Sequence, residues 1–203
     1  MWIIKSATTH ILSLLFPVSC VLCKEKGKAL CLSCFSSFKR AVETPHPDTY
    51  SYLSYKDTNV RNMLQKIKYF RKLYLIQPIV EYIASDPFLK DFLSNVENPI
   101  LIPIPMSKKR TLLRGDNHTE YIAKSISVAL DIPVQTNFLL RQKDTLQQVH
   151  THSRVERVKN MRKAFKIDDK YISELSNKTT ILIDDVTTTG ATIKEATETL
   201  RKA

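Results

Sequence analysis

The chain has 203 residues, 43% of them apolar and 25% charged, with a formal net charge of +11 at pH 7. This length and apolar content suit one main domain with its own core plus a small appendage, and they exclude a chain that is disordered throughout. The excess of Lys and Arg implies an anionic partner, whether the phosphates of a small ligand, a nucleic acid or an acidic surface.

The N-terminal stretch MWIIKSATTHILSLLFP has a short apolar core, ILSLLF, with no small-residue cleavage site before the cysteines, so it reads as an amphipathic helix and not a signal peptide. Elsewhere no apolar run nears the roughly 20 residues needed to cross a bilayer, and the expectation is a soluble, cytoplasmic protein without membrane insertion. All four cysteines then fall in two C-x-x-C pairs, Cys20 with Cys23 and Cys31 with Cys34, separated by a loop containing Gly27. Four thiolates at this spacing can surround one tetrahedral Zn²⁺; redox pairs or disulfides are the alternative. Zinc would supply folding energy to a module too small to have a core of its own. The segment VETPHPD, residues 42 to 48, carries two prolines and reads as a linker, giving residues 1–44 to the helix and zinc module and 45–203 to the main domain.

In the main domain YSYLSY alternates as a strand does. In NVRNMLQKIKYFRK, Val60, Met63, Leu64, Ile67 and Phe70 recur at helical spacing, with Arg61, Lys66, Lys68, Arg71 and Lys72 on the other face. Tyr52, Tyr55, Tyr69 and Tyr74 interleave with these cations, which either marks a path for single-stranded DNA or reflects inward packing, the reading adopted for Phe70. LIQPIVEYIA continues as a helix with Pro78 near its first turn. PILIPIP, residues 99 to 105, is short enough for a buried strand, and a basic loop follows. Asn117 and Glu120 have capping-box spacing ahead of a helix whose stripe is Ile122, Ile126, Ala129 and Leu130. FLLR and AFKI read as short strands, and Ser153 with Glu156 repeats the capping signature between them, before Val155, Val158 and Met161. TTILID is the next strand, and Ile193, Ala196 and Leu200 stripe the last helix. Strands alternating with helices predict an α/β fold with an open, mostly parallel sheet flanked by helices.

The stretch ILIDDVTTTGAT, residues 181 to 192, delivers Asp184 and Asp185 to the carboxyl edge of such a sheet, where ligands bind. Thr187, Thr188, Thr189, Gly190, Ala191 and Thr192 can then present hydroxyls and backbone N–H groups to one phosphate at a helix N-terminus. Carboxylates repel phosphate, so the acids suit vicinal hydroxyls of a sugar. A sugar phosphate fits both halves. After PILIPIP, Lys108, Lys109, Arg110 and Arg114 stand at the same edge, either to hold a pyrophosphate or as a solvated loop. Between Arg141 and Lys163 lie Lys143, Arg154, Arg157, Lys159 and Arg162, with His150 and His152, in no pattern that names a substrate. No Walker A sequence is present, so a motor for any DNA transport must be a partner.

ILIDDVTTTGAT resembles the phosphoribosyl-pyrophosphate (PRPP) motif of type I phosphoribosyltransferases. The resemblance implies that Asp184 and Asp185 bind the ribose hydroxyls and act in catalysis, that residues Thr187 to Thr192 bind the 5′-phosphate, and that Mg²⁺ accompanies PRPP. The collinear segments LLFPVSCVLC…LCLSC, LSYKDTNVRNMLQKIKY, IPIPMSKKRTLLRGDNH, LLRQKDTLQQ, RVERVKNMRKAF and ILIDDVTTTGAT are together similar to the ComF family, named for a component of DNA uptake during bacterial competence. This implies a type I phosphoribosyltransferase-like domain behind a four-cysteine zinc module. It also raises Lys108, Arg110 and Arg114 as pyrophosphate-side candidates, and single-stranded DNA and uptake-machinery proteins, including a separate helicase motor, as partners. Where the family usually reads Arg-Gly-Phe-Asn-Gln, this chain has Arg114, Gly115, Asp116, Asn117 and His118. Relatives also commonly continue past the last helix into another strand, so the expectation is an edge strand absent or supplied by a partner. Three functions follow as expectations: PRPP binding in DNA uptake, phosphoribosyl transfer in nucleotide metabolism, and a zinc-containing DNA-binding or regulatory module with an inactive PRPP site.

Overall fold

The computed structural model describes residues 18–42, 49–107, 110–112, 115, 117–142 and 163–202. The expected N-terminal helix, the linker prolines, Lys108, Lys109, Arg114, Asp116 and residues 143–162 with His150, His152, Ser153 and Glu156 lie outside them. The chain divides into two compact units, Met1–Phe38 and Lys39–Ala203.

In the first unit the chain folds back on itself through the Ser19–Lys26 bridge, with Gly27 N–H donating to the Val18 carbonyl at 2.8 Å. Gly27 has φ of 109°, which no side chain tolerates well. Helix α1, Leu32–Ser36, follows Cys31 directly. Cys20, Leu30, Cys31, Phe35 and Phe38 are buried, and the two phenylalanine rings meet edge to face at 5.8 Å.

The second unit is mixed α/β. Its helices are α2 (Thr58–Phe70), α3 (Ile76–Ala84), α4 (Pro87–Ser94), α5 (His118–Leu130), α6 (Ile172–Leu175) and α7 (Ala191–Leu200). Its strands are β1 (Pro99–Pro103), β2 (Leu139–Arg141), β3 (Phe165–Ile167) and β4 (Thr179–Ile183). β1 and β4 pair in parallel, from Pro99 opposite Thr179 to Pro103 opposite Ile183. On the other edge of β1, Leu101 makes a parallel bridge to Val134. β1 is thus interior, which is why its residues 100–103 are all buried. β2 and β3 pair antiparallel, as a separate two-stranded sheet. The parallel sheet is therefore smaller than the alternation of elements predicts.

The alternation of side chains between the two faces of β1 fixes the layers. Ile102 and Ile104 join Phe138, Leu139, Ala164, Phe165 and Ala196 in one core, against which Leu182, Ile193 and Leu200 also pack. α7 packs on β3 and β4, while α5 packs on α3 and β1.

Two aspartates start the helical layer, and neither cap stands out in the sequence pattern. Asp57 accepts the N–H groups of Asn59 (2.8 Å) and Val60 (3.4 Å) at the head of α2, and that of Lys39 at 2.9 Å. These donors, Lys39 first, hold its buried carboxyl below the usual range. Asp86 caps α4 through Phe88 N–H at 2.9 Å, with Pro87 in the first turn, and pairs with Arg40 at 2.8 Å. The Arg40 guanidinium lies 3.8 Å over the Tyr52 ring.

Several expectations are corrected. YSYLSY forms no extended strand: its pairing is a single antiparallel bridge from Leu53 to Arg40, and its aromatic alternation serves ring packing of Tyr50 on Phe88 and Phe92. The Asn117–Glu120 box is not made, since Asn117 offers no side-chain cap to α5. Ala129 is exposed, and buried Ala123 lies on the α5 core stripe instead. Phe70 is 70% exposed because α2 ends there with Arg71 in the left-handed conformation at φ 51°, turning the chain before Phe70 can reach the core. Ile67→Ala is therefore expected to cost about 2–5 kcal/mol, and Phe70→Ala to stay within about 0.5 kcal/mol, by denaturant unfolding.

Candidate functional site

The in-register pairing of β1 with β4 brings their carboxyl ends side by side, and Ile104 N–H extends the ladder to the Ile183 carbonyl at 2.9 Å. Each strand then releases its loop at the same edge. Asp184 is the first residue past β4, and its carboxylate accepts the N–H of Asp185 at 2.9 Å. The Asp185 Oδ2 takes two donors from elsewhere: the Nε2 of His118, first residue of α5, and the ammonium of Lys68 in the last turn of α2, at 2.8 Å. His118 is 3% exposed.

The environment separates the two acids. Burial, followed by the charge of Asp185, pushes Asp184 up to about 7, against the pull of Lys68 and Arg141. Burial acts on Asp185 too, but His118 and Lys68 outweigh it and hold that carboxyl at about 2. At neutral pH the pair holds one firm negative charge and one proton near its release point.

Beyond the acids the chain turns through Val186–Thr189 into α7. Gly190 makes the turn with φ of 71°, and α7 begins without a side-chain cap of its own. Thr189 Oγ1 is 3.4 Å from Ala191 N–H. Thr187 Oγ1 is buried with no hydrogen-bond partner among the described residues, as is Asn117 Oδ1 beside His118. A buried hydroxyl without a partner is costly unless a ligand or water completes it. Asp184, Asp185, Thr187 and Thr188 contribute to the lining of a cavity of about 1520 Å³ whose walls are otherwise largely apolar, including Met63, Ile67, Ile181 and Ile183.

The two residues that the sequence reading missed as site members are Lys68 and His118. Lys68 counts there as part of a basic outer face, although it stands four residues after Leu64, on the edge of the apolar stripe. His118 is noted only as a departure from the usual glutamine. Of the pyrophosphate-side candidates, Arg110 is described: it follows buried Ser107, whose Oγ accepts its N–H at 3.4 Å. Further along this loop, a Cβ on Gly115, whose φ is 85°, would lie 2.9 Å from the Arg71 Cζ. Glycine leaves room there for the Arg71 guanidinium to lie against the loop.

In the first unit, Cys20, Cys23, Cys31 and Cys34 place their sulfurs all within 4.8 Å of one another, with Cys23 and Cys31 at 3.6 Å. A tetrahedral ion with metal–sulfur bonds of about 2.3 Å sets its sulfurs about 3.8 Å apart, so the cluster fits one such ion, zinc among them. Burial raises the Cys20 thiol, but N–H groups of Cys31, Cys23 and Leu22 outweigh it and bring Cys20 down to about 6. Burial and the neighbouring sulfurs push Cys34 up to about 12. A divalent cation bound to the four sulfurs would hold them as thiolates.

No family model matches the chain. Competence protein F of Haemophilus influenzae is 33% identical over 102 residues, which are 50% of this chain and 44% of that protein. The match is a similarity to Competence protein F over that stretch. It spans less than half the length of that relative. No described helix is long and apolar enough to cross a membrane.

The raised Asp184 has a stability consequence whose sign is fixed. Between about pH 4, the unfolded value, and pH 7 the folded protein binds more protons than the unfolded chain, so this group's contribution falls as pH rises. Asp184→Asn removes the buried charge. Its melting temperature relative to the parent should rise from pH 4 to pH 8 in Mg²⁺-free buffer; a pH-independent difference would contradict this. Metal analysis of the purified protein should give about one thiolate-bound ion per chain, lost in Cys23→Ser together with thermal stability.

Proposed function

We propose that this ComF-type chain binds PRPP or a related ribose phosphate, with Mg²⁺, through a phosphoribosyltransferase-like domain, and serves DNA uptake in natural transformation. The observation that carries the reading is the convergence of an acid pair, a partnerless buried hydroxyl and an uncapped helix N-terminus where two parallel strands end in register. Asp184 and Asp185 accept hydrogen bonds from the ribose hydroxyls. Thr187, Thr188, Thr189, Gly190, Ala191 and Thr192 hold the 5′-phosphate with hydroxyls and backbone N–H groups. Lys108, Arg110 and Arg114 serve the pyrophosphate side. Mg²⁺, when bound with PRPP, neutralises the pyrophosphate. The two carboxylates then favour positive charge at the sugar carbon, the charge that develops if pyrophosphate leaves. That chemistry would make the protein a pentosyl transferase.

The name of the similar protein supports the competence role, and with it we propose a structural zinc in the cysteine cluster, a cytoplasmic location and a separate motor partner. One observation favours a second activity, single-stranded DNA binding. Tyr69, Phe70 and Tyr74 are exposed around Arg71 and Lys72, the mixture of ring faces and cations that holds single strands.

Calorimetry with PRPP tests the first reading. Binding is expected to require Mg²⁺ and to weaken at least tenfold in the Asp184→Asn, Asp185→Asn double variant. Binding unchanged by that double substitution would sink the site assignment. DNA affinity, in contrast, should fall by roughly 0.7 log units per neutralised phosphate per decade of salt.

A further inference from the structure

We propose that Lys68 is a diphosphate-binding residue that changes partner: its ammonium, here paired with Asp185, transfers to the diphosphate of an incoming sugar diphosphate as Asp185 turns to the sugar hydroxyls. The proposal rests on the ribose-phosphate reading above and names a residue that the sequence motif does not contain.

Lys68 is only 16% exposed and Asp185 12%. Withdrawing both charges from water is costly, so this pair is unlike the surface bridges that come and go freely. The Asp185 Oδ2 already receives two donors, His118 and Lys68, which is the capacity of one carboxylate oxygen. A sugar hydroxyl that approaches Oδ2 must displace one of them. His118 is the less free, being a short two-torsion side chain buried in the first turn of α5. Lys68 has a four-carbon stem and an ammonium that bonds in any direction. It is the donor that yields.

The position of α2 shows where the ammonium can go. Lys68 stands in the last turn of α2, and Arg71 is the left-handed residue that ends it, three positions on. Lys68 reaches the acid that follows β4, while Arg71 lies against Gly115 in the loop that follows β1. The end of α2 therefore spans the sugar side and the pyrophosphate side of the same edge. A buried ammonium released from Asp185 can turn to Asp184, whose carboxyl already feels its charge, or to a diphosphate held between the acids and that loop, which carries more negative charge than the single carboxyl.

The test compares PRPP, which carries the diphosphate, with ribose 5-phosphate, which lacks it, by calorimetry in Mg²⁺ on the full chain. Lys68→Met should weaken PRPP at least tenfold and leave ribose 5-phosphate unchanged or tighter, while Lys68→Arg retains most PRPP affinity. Equal loss for both ligands makes Lys68 a positioning residue for Asp185 and overturns the proposal, and so does equal gain, which makes it a mere obstruction. The unmodified protein offers a second measurement that does not depend on a variant folding. PRPP should protect Lys68 from acetic anhydride, read by peptide mass spectrometry, whereas ribose 5-phosphate should leave it at least as reactive as before; protection by neither or by both overturns the proposal. An unmodified protein that binds neither ligand overturns the ribose-phosphate reading along with it.

Discussion

Two carboxylates joined by a single peptide bond and turned away from water cannot both ionise unless cations or donors stand beside them. Much of the second unit is arranged around that constraint at Asp184 and Asp185. β1 and β4 set the edge on which the acids emerge, α5 brings His118, and α2 brings Lys68. β2 contributes the field of Arg141, whose guanidinium also lies 5.4 Å over the Phe165 ring. The acids are thereby made unequal, one a fixed anion and the other able to accept or donate a proton near neutrality.

The same constraint bears on the chain's strongly basic character. Part of the cationic surplus faces solvent, as at Arg71 and Lys72, but Lys68 belongs to the acid pair and is withdrawn from the surface charge. A formal net charge thus overstates what a nucleic acid would meet on α2. The exposed rings there are a separate matter: Tyr69 lies on the outer face of α2, and Phe70 is left exposed where the helix stops.

What could be read in the sequence was local. PILIP and TTILI are continuous apolar runs with sharp boundaries, so both strands were legible, as was the turn at Gly190 that starts the last helix. The four cysteines announce their cluster through spacing alone. What could not be read was pairing over distance. His118 lies 67 positions before Asp185, and no periodicity connects them. Lys68 looked like a surface cation because helical patterning sorts residues by polarity, and a lysine at the edge of an apolar stripe sorts with the exposed face. YSYLSY failed for a related reason: alternation reports that two faces differ, and here one face met aromatic rings and not a second strand. The missed α4 is short, and its start depends on Asp86, an acid that also has to satisfy Arg40 and Tyr52.

Helix α7 begins at a glycine, so nothing in its own side chains closes its first turn. Contrast α2, which is finished at its head by Asp57. The difference leaves the first backbone N–H groups of α7 without a cap from their own N-terminal residue. An anion that bound there would complete the helix as it bound, so its occupancy and the order of that first turn would be one equilibrium seen from two sides.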